Sequence, residues 1–268
     1  MGTIKSVASQ WFLPSKVKLR FVMGLLALLS IPLAWKSNRI RAQHEAVQAV
    51  RRNGGQVYFD YQWVNGQLSS NPKSMVPGWI RALIGDEAFH DVVWVRIGSI
   101  LQDRSVLKRL KCFHKLQILS LNTRRIEDAD LANIEGLSRL KSLDLAGTVV
   151  TDAGLKHLRK LDDLVYLFLN DTAVGDIGME ELGQHRLLQH LDLSRTRVTD
   201  RGLHSLGRLD GLRMLVLNET AVTGVGLKDL LSLGQLVSLS LDETNVSAEE
   251  VIEFRQNASA STSVFKGP

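Results

Sequence analysis

Residues 140–163 read LKSLDLAGTVVTDAGLKHLRKLDD, and residues 188–211 repeat the pattern as LQHLDLSRTRVTDRGLHSLGRLDG. Segments of this kind begin at six leucines, each 24 residues after the last: Leu116, Leu140, Leu164, Leu188, Leu212 and Leu236. A fixed period of this length indicates stacked copies of one supersecondary unit, none of which can bury its apolar face alone. The pattern therefore predicts a solenoid in which each copy adds a short strand, a turn and a short helix.

The polar positions of each copy are interpreted as architectural rather than catalytic. In the copy that starts at Leu140, alternating leucines predict a strand at 143–145 and a helix from about 152 to 160. Threonine or serine before the helix is a typical N-cap, and an aspartate in the first turn favours the positive end of the helix dipole. These aspartates are Asp152, Asp176 and Asp200. The ninth position is threonine in five copies, where a buried hydroxyl can hydrogen-bond the backbone of a neighbouring turn: Thr148, Thr172, Thr196, Thr220 and Thr244.

The net charge of +5 is distributed unevenly over the 268 residues. Residues 1–52 carry nine Lys and Arg against one acid, which gives +8 and leaves −3 for the rest of the chain. Because the positive charge flanks an apolar segment and not the repeats, we expect a membrane-linked role for it and no nucleic-acid binding. Cys112 is the only cysteine, so no disulfide can form within the chain.

The apolar segment FVMGLLALLSIPLAW, residues 21–35, lies between Arg20 and Lys36. As a helix its fifteen residues rise about 22 Å, short of the roughly 30 Å hydrocarbon core, so flanking residues would have to contribute. We interpret residues 19–35 as a single-pass membrane anchor, with the N-terminus in the cytoplasm and the repeats on the extracytoplasmic side. A cleaved signal peptide followed by secretion, and a buried core helix, remain open alternatives.

The sequence predicts four regions. Residues 1–36 form a basic tail and the anchor, and residues 37–91 form a juxtamembrane helix and a small α+β cap on the exposed end of the stack. Residues 92–256 are the repeats, beginning with a degenerate copy at 92–115. Residues 257–268 are small and polar, which predicts a disordered tail. Within the cap, alternation predicts one strand with four residues on one face: Val57, Phe59, Tyr61 and Trp63.

Six copies in register resemble the leucine-rich-repeat family, in the bacterial 24-residue form that has Thr where Asn or Cys is usual. The resemblance covers about 116–254, and weakly the chain from 92. With the apolar segment and the VYFDY strand at 57–61, the chain is also similar to uncharacterised membrane-anchored members. The resemblance implies an α/β solenoid, a curved right-handed coil with a parallel sheet on its concave side and helices on its convex side, and recognition of macromolecules by the concave face.

The third, fifth, seventh and eighth positions of each copy are expected on the concave face. The binding residues predicted there are Trp94, Ile118, Tyr166, Phe168, His190, Asp192, Met214 and Val216. The apolar members on neighbouring copies would form one patch, and exposed aromatic and methionine side chains within a charged rim are typical of interface hot spots. The acids expected at the rim are Asp144, Asp171, Asp192, Glu219, Asp242 and Glu243. The alternatives are a terminal segment that covers the patch, or apolar residues tolerated on the strands.

These observations predict a protein that binds another protein, of unknown identity, or a surface polymer. We expect no enzyme activity, cofactor, metal or small-molecule substrate, since His190 and Asp192 lack a nucleophile or third ligand at a recognisable spacing. His185 takes the place of a leucine and is expected to be a packing substitution. The alternative functions are a passive structural protein of the envelope and a substrate-receptor adaptor. The repeats resemble those of F-box receptors, but residues 37–91 contain no F-box-like Leu-Pro helical segment.

Overall fold

The structure, a computed structural model, describes residues 38–64, 67–70, 72–98 and 101–267. The chain divides into two units, residues 1–42 and residues 43–268. The described part of the first unit, residues 38–42, is helical. All further description concerns the second unit.

Strands from successive repeats form a single sheet. The strands are β1 (Gln56–Phe59), β2 (Trp63–Val64), β3 (Gln67–Leu68), β4 (Val92–Arg96), β5 (Ile118–Ser120), β6 (Ser142–Asp144), β7 (Tyr166–Phe168), β8 (His190–Asp192), β9 (Met214–Val216), β10 (Ser238–Ser240) and β11 (Ser263–Phe265). Within the described residues, nine of them are ordered β1-β4-β5-β6-β7-β8-β9-β10-β11, and β2 pairs with β3. β1 runs antiparallel to β4, and the neighbours from β4 to β11 are parallel.

Short helices lie between most of the strands, and the first of them precedes β1. They are α1 (43–52), α2 (Gly78–Ile84), α3 (Ser105–Arg109), α4 (Asp152–Leu155), α5 (Asp176–Leu182), α6 (Asp200–Leu206), α7 (Gly224–Leu230) and α8 (Ala248–Asn257). Turns of 3-10 helix lie at Asp60–Gln62, Asp86–Ala88, Leu110–Cys112, Asp128–Asn133 and Lys156–Leu158. The predicted helix at 152–160 is therefore one turn of α-helix followed by one of 3-10 helix. Successive helices from α4 to α8 pack against one another.

The 24-residue period sets the register of the parallel strands. Leu143 of β6 pairs with Leu167 of β7, which pairs with Leu191 of β8, and all three side chains are fully buried. Because side chains alternate along a strand, the residues on either side of each leucine point to the opposite face of the sheet. The leucine ladder thus forms the core and leaves the third and fifth positions of each repeat on the outer face.

Threonine hydroxyls at the ninth position fasten the turn within their own repeat. Thr172 Oγ1 donates to the Leu169 carbonyl at 2.6 Å, and Thr196 Oγ1 donates to the Leu193 carbonyl at the same distance. The partner lies three residues earlier, and not in a neighbouring turn as the sequence interpretation supposed. A buried carbonyl that no ladder bond satisfies gains its donor in this way.

Aspartates at the start of the helices join each repeat to the next. Asp176 accepts hydrogen bonds from the backbone and the hydroxyl of Thr199, at 2.8 and 2.7 Å, and from the Gly202 backbone at 3.0 Å. Asp200 makes the corresponding two bonds to Thr223, at 2.8 and 2.7 Å. The helix-dipole role that the sequence suggested is thus only part of their function, since each carboxylate also fixes the N-cap residue of the following helix.

The strand predicted in the cap ends before Tyr61. Backbone groups there bond to side chains: Tyr61 N donates to Asp60 Oδ1 at 2.8 Å, and Phe59 N donates to Gln62 Oε1 at 2.9 Å. These local bonds compete with strand pairing and produce the 3-10 turn at Asp60–Gln62. Phe59 remains fully buried in the core.

The C-terminal tail, which its composition predicted to be disordered, contributes strand β11. Ser263 N donates to the Val237 carbonyl and Leu241 N donates to the Phe265 carbonyl, both at 2.8 Å. The Val264 side chain is buried, in line with the leucines of the preceding strands. A composition argument missed this strand because one apolar residue at an inward position is enough to extend an existing sheet edge.

The predicted membrane helix is the part of the fold class that needs correction, and with it the single-pass membrane localisation. Across residues 38–64, 67–70, 72–98 and 101–267, no helix combines the length and the apolar character that crossing a membrane requires. The segment at 19–35, on which that prediction rested, lies outside the described residues. The repeat solenoid with a parallel sheet is the part of the predicted fold that the structure confirms.

His185 occupies a buried leucine position and is expected to make stability depend on pH. Burial lowers its pKa, more than a bond to the Leu161 backbone and nearby Asp162 raise it. A lowered pKa means that the unfolded chain binds the proton more readily, so this stability is present above the unfolded pKa of about 6.5 and is lost as the pH falls. We expect the thermal midpoint to fall less between pH 7.5 and 5.5 in His185→Leu than in the unaltered protein. Equal falls in the two proteins would contradict this assignment.

Candidate binding surface on the parallel sheet

Strand register brings six of the eight predicted binding residues together. Tyr166, His190 and Met214 are neighbours in one row across β7, β8 and β9. Phe168, Asp192 and Val216 form the adjacent row. The buried leucine between the two rows on each strand fixes the side chains of both rows on the same outer face. We call these six residues the central patch.

The apolar members of the central patch are accessible. Tyr166 is 40% exposed, Phe168 36% and Met214 39%. The Tyr166 ring stacks on the His190 imidazole, with ring centroids 4.6 Å apart and an angle of 23° between planes. Burial, and secondarily the charge of Arg213, lower the pKa of His190. The imidazole is therefore neutral at physiological pH and extends the aromatic surface instead of adding a charge.

The aspartates of these rows are engaged with their own turns. Asp192 Oδ1 accepts from the Ser194 backbone at 2.9 Å and from the Ser194 hydroxyl at 2.7 Å. On β6, Asp144 accepts from the Ala146 backbone at 3.0 Å and from the Ser120 hydroxyl at 2.8 Å. These carboxylates stabilise the end of each strand. No group of three or more His, Cys, Asp or Glu side chains in the described part of the chain is arranged to hold a metal.

The rim carries charges of both signs, which the sequence interpretation missed. Arg195 donates to Asp171, with Nε–Oδ1 at 2.5 Å, and to Glu219, with Nη1–Oε1 at 2.9 Å. The Arg195 guanidinium lowers the pKa of Asp171. All three residues occupy the eighth position of successive repeats, so the 24-residue spacing could have revealed the alternation of charge. Two of the predicted acids therefore belong to an ion-pair row.

Trp94 and Ile118 lie outside the central patch. Ser142 of β6 separates Ile118 of β5 from Tyr166 in the same row. Trp94 packs instead against the N-terminal region, stacked on Tyr58 with centroids 4.4 Å apart and edge-on to Trp63 at 5.4 Å. Its buried Nε1 has no hydrogen-bond partner among the residues that the structure describes. The register places Trp94 at the end of the row, so distance along the solenoid removes it from the patch.

Comparison with known proteins agrees with the repeat architecture. The family model described as Leucine Rich repeat matches residues 138–158 and 184–207. The chain is similar to internalin C2 from Listeria monocytogenes, with TM-score 0.52 and 22% identity, over 66% of this chain and 81% of that one. For an internalin from the same bacterium, inlF, the TM-score is 0.47 at 20% identity over 59% and 49% of the two chains.

A leucine-rich-repeat protein from Leptospira interrogans has TM-score 0.45 at 22% identity, over 59% of this chain and 44% of that one. No curated protein matches the sequence. At these identities the likeness to internalin C2 concerns the fold alone.

Proposed function

We propose that this chain, whose repeats match the leucine-rich-repeat family model at 138–158 and 184–207, binds another protein through the outer face of its parallel sheet. The observation that carries the proposal is the central patch, in which Tyr166 and Phe168 of β7 and Met214 of β9 are at least 36% exposed. His190 of β8 lies between Tyr166 and Met214 in the same row. Isolated exposed apolar residues are ordinary on protein surfaces, whereas a contiguous group rimmed by polar side chains marks an interaction site.

The chemistry of the patch defines the partner surface that would fit it. The stacked Tyr166 and His190 rings offer a flat platform, and Met214 offers a flexible apolar side chain beside it. Tyrosine is enriched at hot spots, and methionine adapts to irregular partner surfaces. The ion-paired rim is partly neutralised, so the partner surface should be apolar at its centre and uncharged or mixed in charge at its edge.

The alternative functions predict a different environment for the patch. A passive structural protein would cover Tyr166 and Phe168 with its own cap or tail. Within the described residues, β11 and the N-terminal strands lie at opposite ends of the sheet order, away from β7. No contact among the described residues supports a role as an F-box type adaptor. We therefore base the proposal on protein recognition by the sheet.

The proposal is tested with a Phe168→Asp, Met214→Asp variant in crosslinked affinity purification and mass spectrometry. Charged side chains at the patch centre should weaken binding by at least about 30-fold, since truncating a single hot spot costs about 2 kcal/mol or more. A matched control is Ile177→Asp, Val225→Asp, which alters exposed apolar residues of α5 and α7. A specific partner lost in the patch variant and retained in the control supports the proposal. A partner retained by the patch variant and lost in the control would move recognition to the helices.

A further inference from the structure

Three polar side chains outside the central patch form a hydrogen-bonded line in the N-terminal region. The Ser74 hydroxyl lies 2.8 Å from His90 Nε2, and His90 Nδ1 lies 3.0 Å from Asp60 Oδ1. A carboxylate can only accept, so Nδ1 carries a proton, and in the neutral imidazole Nε2 then accepts the hydroxyl proton of Ser74. The order of hydroxyl, imidazole and carboxylate is the arrangement that activates a serine nucleophile.

The sheet holds Asp60 and His90 side by side. Asp60 directly follows β1 and His90 precedes β4, and these two strands are antiparallel neighbours. The Asp60 backbone donates to the Asp91 carbonyl at 3.0 Å, and the Gln43 side chain donates to the His90 carbonyl at 2.8 Å. Both residues are thus positioned by bonds that do not involve Ser74.

The imidazole is also fixed by its surroundings. The Tyr61 ring packs against the His90 ring at an angle of 46°, with centroids 4.4 Å apart, and only 12% of the His90 side chain is exposed. Arg81 Nη1 donates to the Tyr61 hydroxyl at 2.9 Å and to Asp86 at 3.0 Å. A general base held in one orientation with its acceptor nitrogen on a hydroxyl meets the geometric requirement for nucleophile activation.

Two large, exposed apolar residues follow the serine closely in the sequence. Met75, the next residue, is fully exposed, and Trp79 at the start of α2 is 72% exposed. The Ser74 hydroxyl also accepts from the Val76 backbone at 3.0 Å, so it has a role in its turn. The bond from the Val76 backbone explains why a serine is useful in this turn. It does not explain why His90 and Asp60 are hydrogen-bonded in line with the serine, or why apolar residues are exposed nearby. Together these features fit a ligand with an apolar chain and an electrophilic carbonyl.

We propose that Ser74 is the nucleophile of a hydrolytic site for carboxylic esters with an apolar acyl group. Ser74 Oγ would bond to the acyl carbon while its proton passes to His90 Nε2. The carbon–oxygen bond to the alcohol breaks, and the departing alkoxide takes that proton. Water then attacks the acyl-serine with His90 as base, releases the carboxylic acid and restores the Ser74 hydroxyl. This activity is independent of the protein binding proposed above.

General-base assistance of this kind contributes about 10²- to 10⁴-fold to the rate. The sharpest readout is therefore stoichiometric labelling, in which Ser74 Oγ displaces fluoride from a fluorophosphonate probe. We expect native protein to be labelled at Ser74, as located by peptide mass spectrometry, and urea-unfolded protein not to be. Ser261→Ala, which removes an exposed serine of the tail, should label normally, and Ser74→Ala should not label.

The variant His90→Gln distinguishes a role of His90 as a general base from a role in stabilising the loop. Glutamine can still accept the hydroxyl hydrogen bond from Ser74, but it cannot take up its proton. With the fold verified by circular dichroism, labelling should be at least about 100-fold slower in His90→Gln. The same variants should lose hydrolysis of 4-nitrophenyl butyrate. The proposal would be overturned if native protein is not labelled, or if native protein and His90→Gln are labelled equally. Ser74 and His90 would then only stabilise the loop. If His90→Gln does not fold, the contrast between native and unfolded protein decides the question.

Asp60 would act as a positioning residue, through the imidazole. Its carboxylate stabilises the imidazolium that forms as the Ser74 proton moves. Asp60→Asn should slow labelling, whereas Asp60→Glu, which keeps a carboxylate, should restore most of it. Labelling of a folded Asp60→Asn variant at the native rate would contradict this role.

Discussion

An Asp176→Ala variant is expected to lose about 3 kcal/mol of unfolding free energy. The substitution removes the acceptor of three hydrogen bonds, two from Thr199 and one from the Gly202 backbone, at 2.7 to 3.0 Å. Each donor left without a partner in a half-buried site costs about 1–3 kcal/mol. The Gly202 backbone keeps a bond to the Thr199 carbonyl, so its share is the smallest. Urea unfolding followed by circular dichroism measures the loss.

The matched control is Asp210→Ala, since Asp210 is an exposed aspartate on the same repeat array. Surface substitutions of this kind usually change stability by no more than about 0.5 kcal/mol. Asp176→Asn should fall between the two, because its amide oxygen still accepts one bond. A loss in Asp176→Ala no larger than that of the control would show that the carboxylate does not hold the repeats together.

A Gly202→Ala variant is expected to lose about 1 kcal/mol of unfolding free energy, although alanine is the better helix former. A Cβ atom at this position would lie 2.7 Å from Asp176 Oδ1, 3.0 Å from Met179 Cγ and 3.1 Å from Val198 Cγ1. Overpacking of this kind costs about 1–3 kcal/mol, and the gain in helix propensity of up to 1 kcal/mol offsets part of it. The same urea titration measures the result, and a stabilised variant would contradict the packing account.

The two substitutions should not be additive. Alanine at 176 removes the oxygen that the new Cβ at 202 would meet, so Gly202→Ala should cost less in the Asp176→Ala background. Residues in contact commonly show coupling energies of about 0.5–3 kcal/mol in double-mutant cycles. Coupling near zero would mean that the glycine is required for packing against Met179 and Val198 alone.

The repeat fold could be predicted from the sequence because the burial of leucine side chains, which stabilises it most, recurs with a fixed period. Leucines every 24 residues determine which side of each strand is buried, and this placed Tyr166, His190 and Met214 in one row before any coordinates. A repeat period also predicts local structure well, since each copy makes contacts only within itself and with its neighbouring copies. The same reasoning could not predict β11, because its Ser-Val-Phe segment does not follow the leucine pattern of the repeats.

The hydrogen bonds and ion pairs that side chains make between repeats were harder to predict from the sequence. Capping rules describe one helix at a time, so they assigned Asp176 to its own helix dipole and missed its bonds to Thr199. Composition likewise described the acids beside the patch as a rim, while Arg195 pairs two of them. In the N-terminal region no period exists, and the meeting of Asp60, Ser74 and His90 depends on a loop path that no local pattern specifies.

Recognition by the central patch is tested most directly by site-specific photocrosslinking. A photoreactive phenylalanine analogue at position 168 would sit on the outer face of the sheet, and the same analogue at position 177 would sit on exposed α5. Illumination of the native protein in its cellular extract should covalently attach one specific protein to position 168 and not to position 177. Capture of that protein from position 177 instead, or no specific capture from position 168, would contradict binding through the sheet.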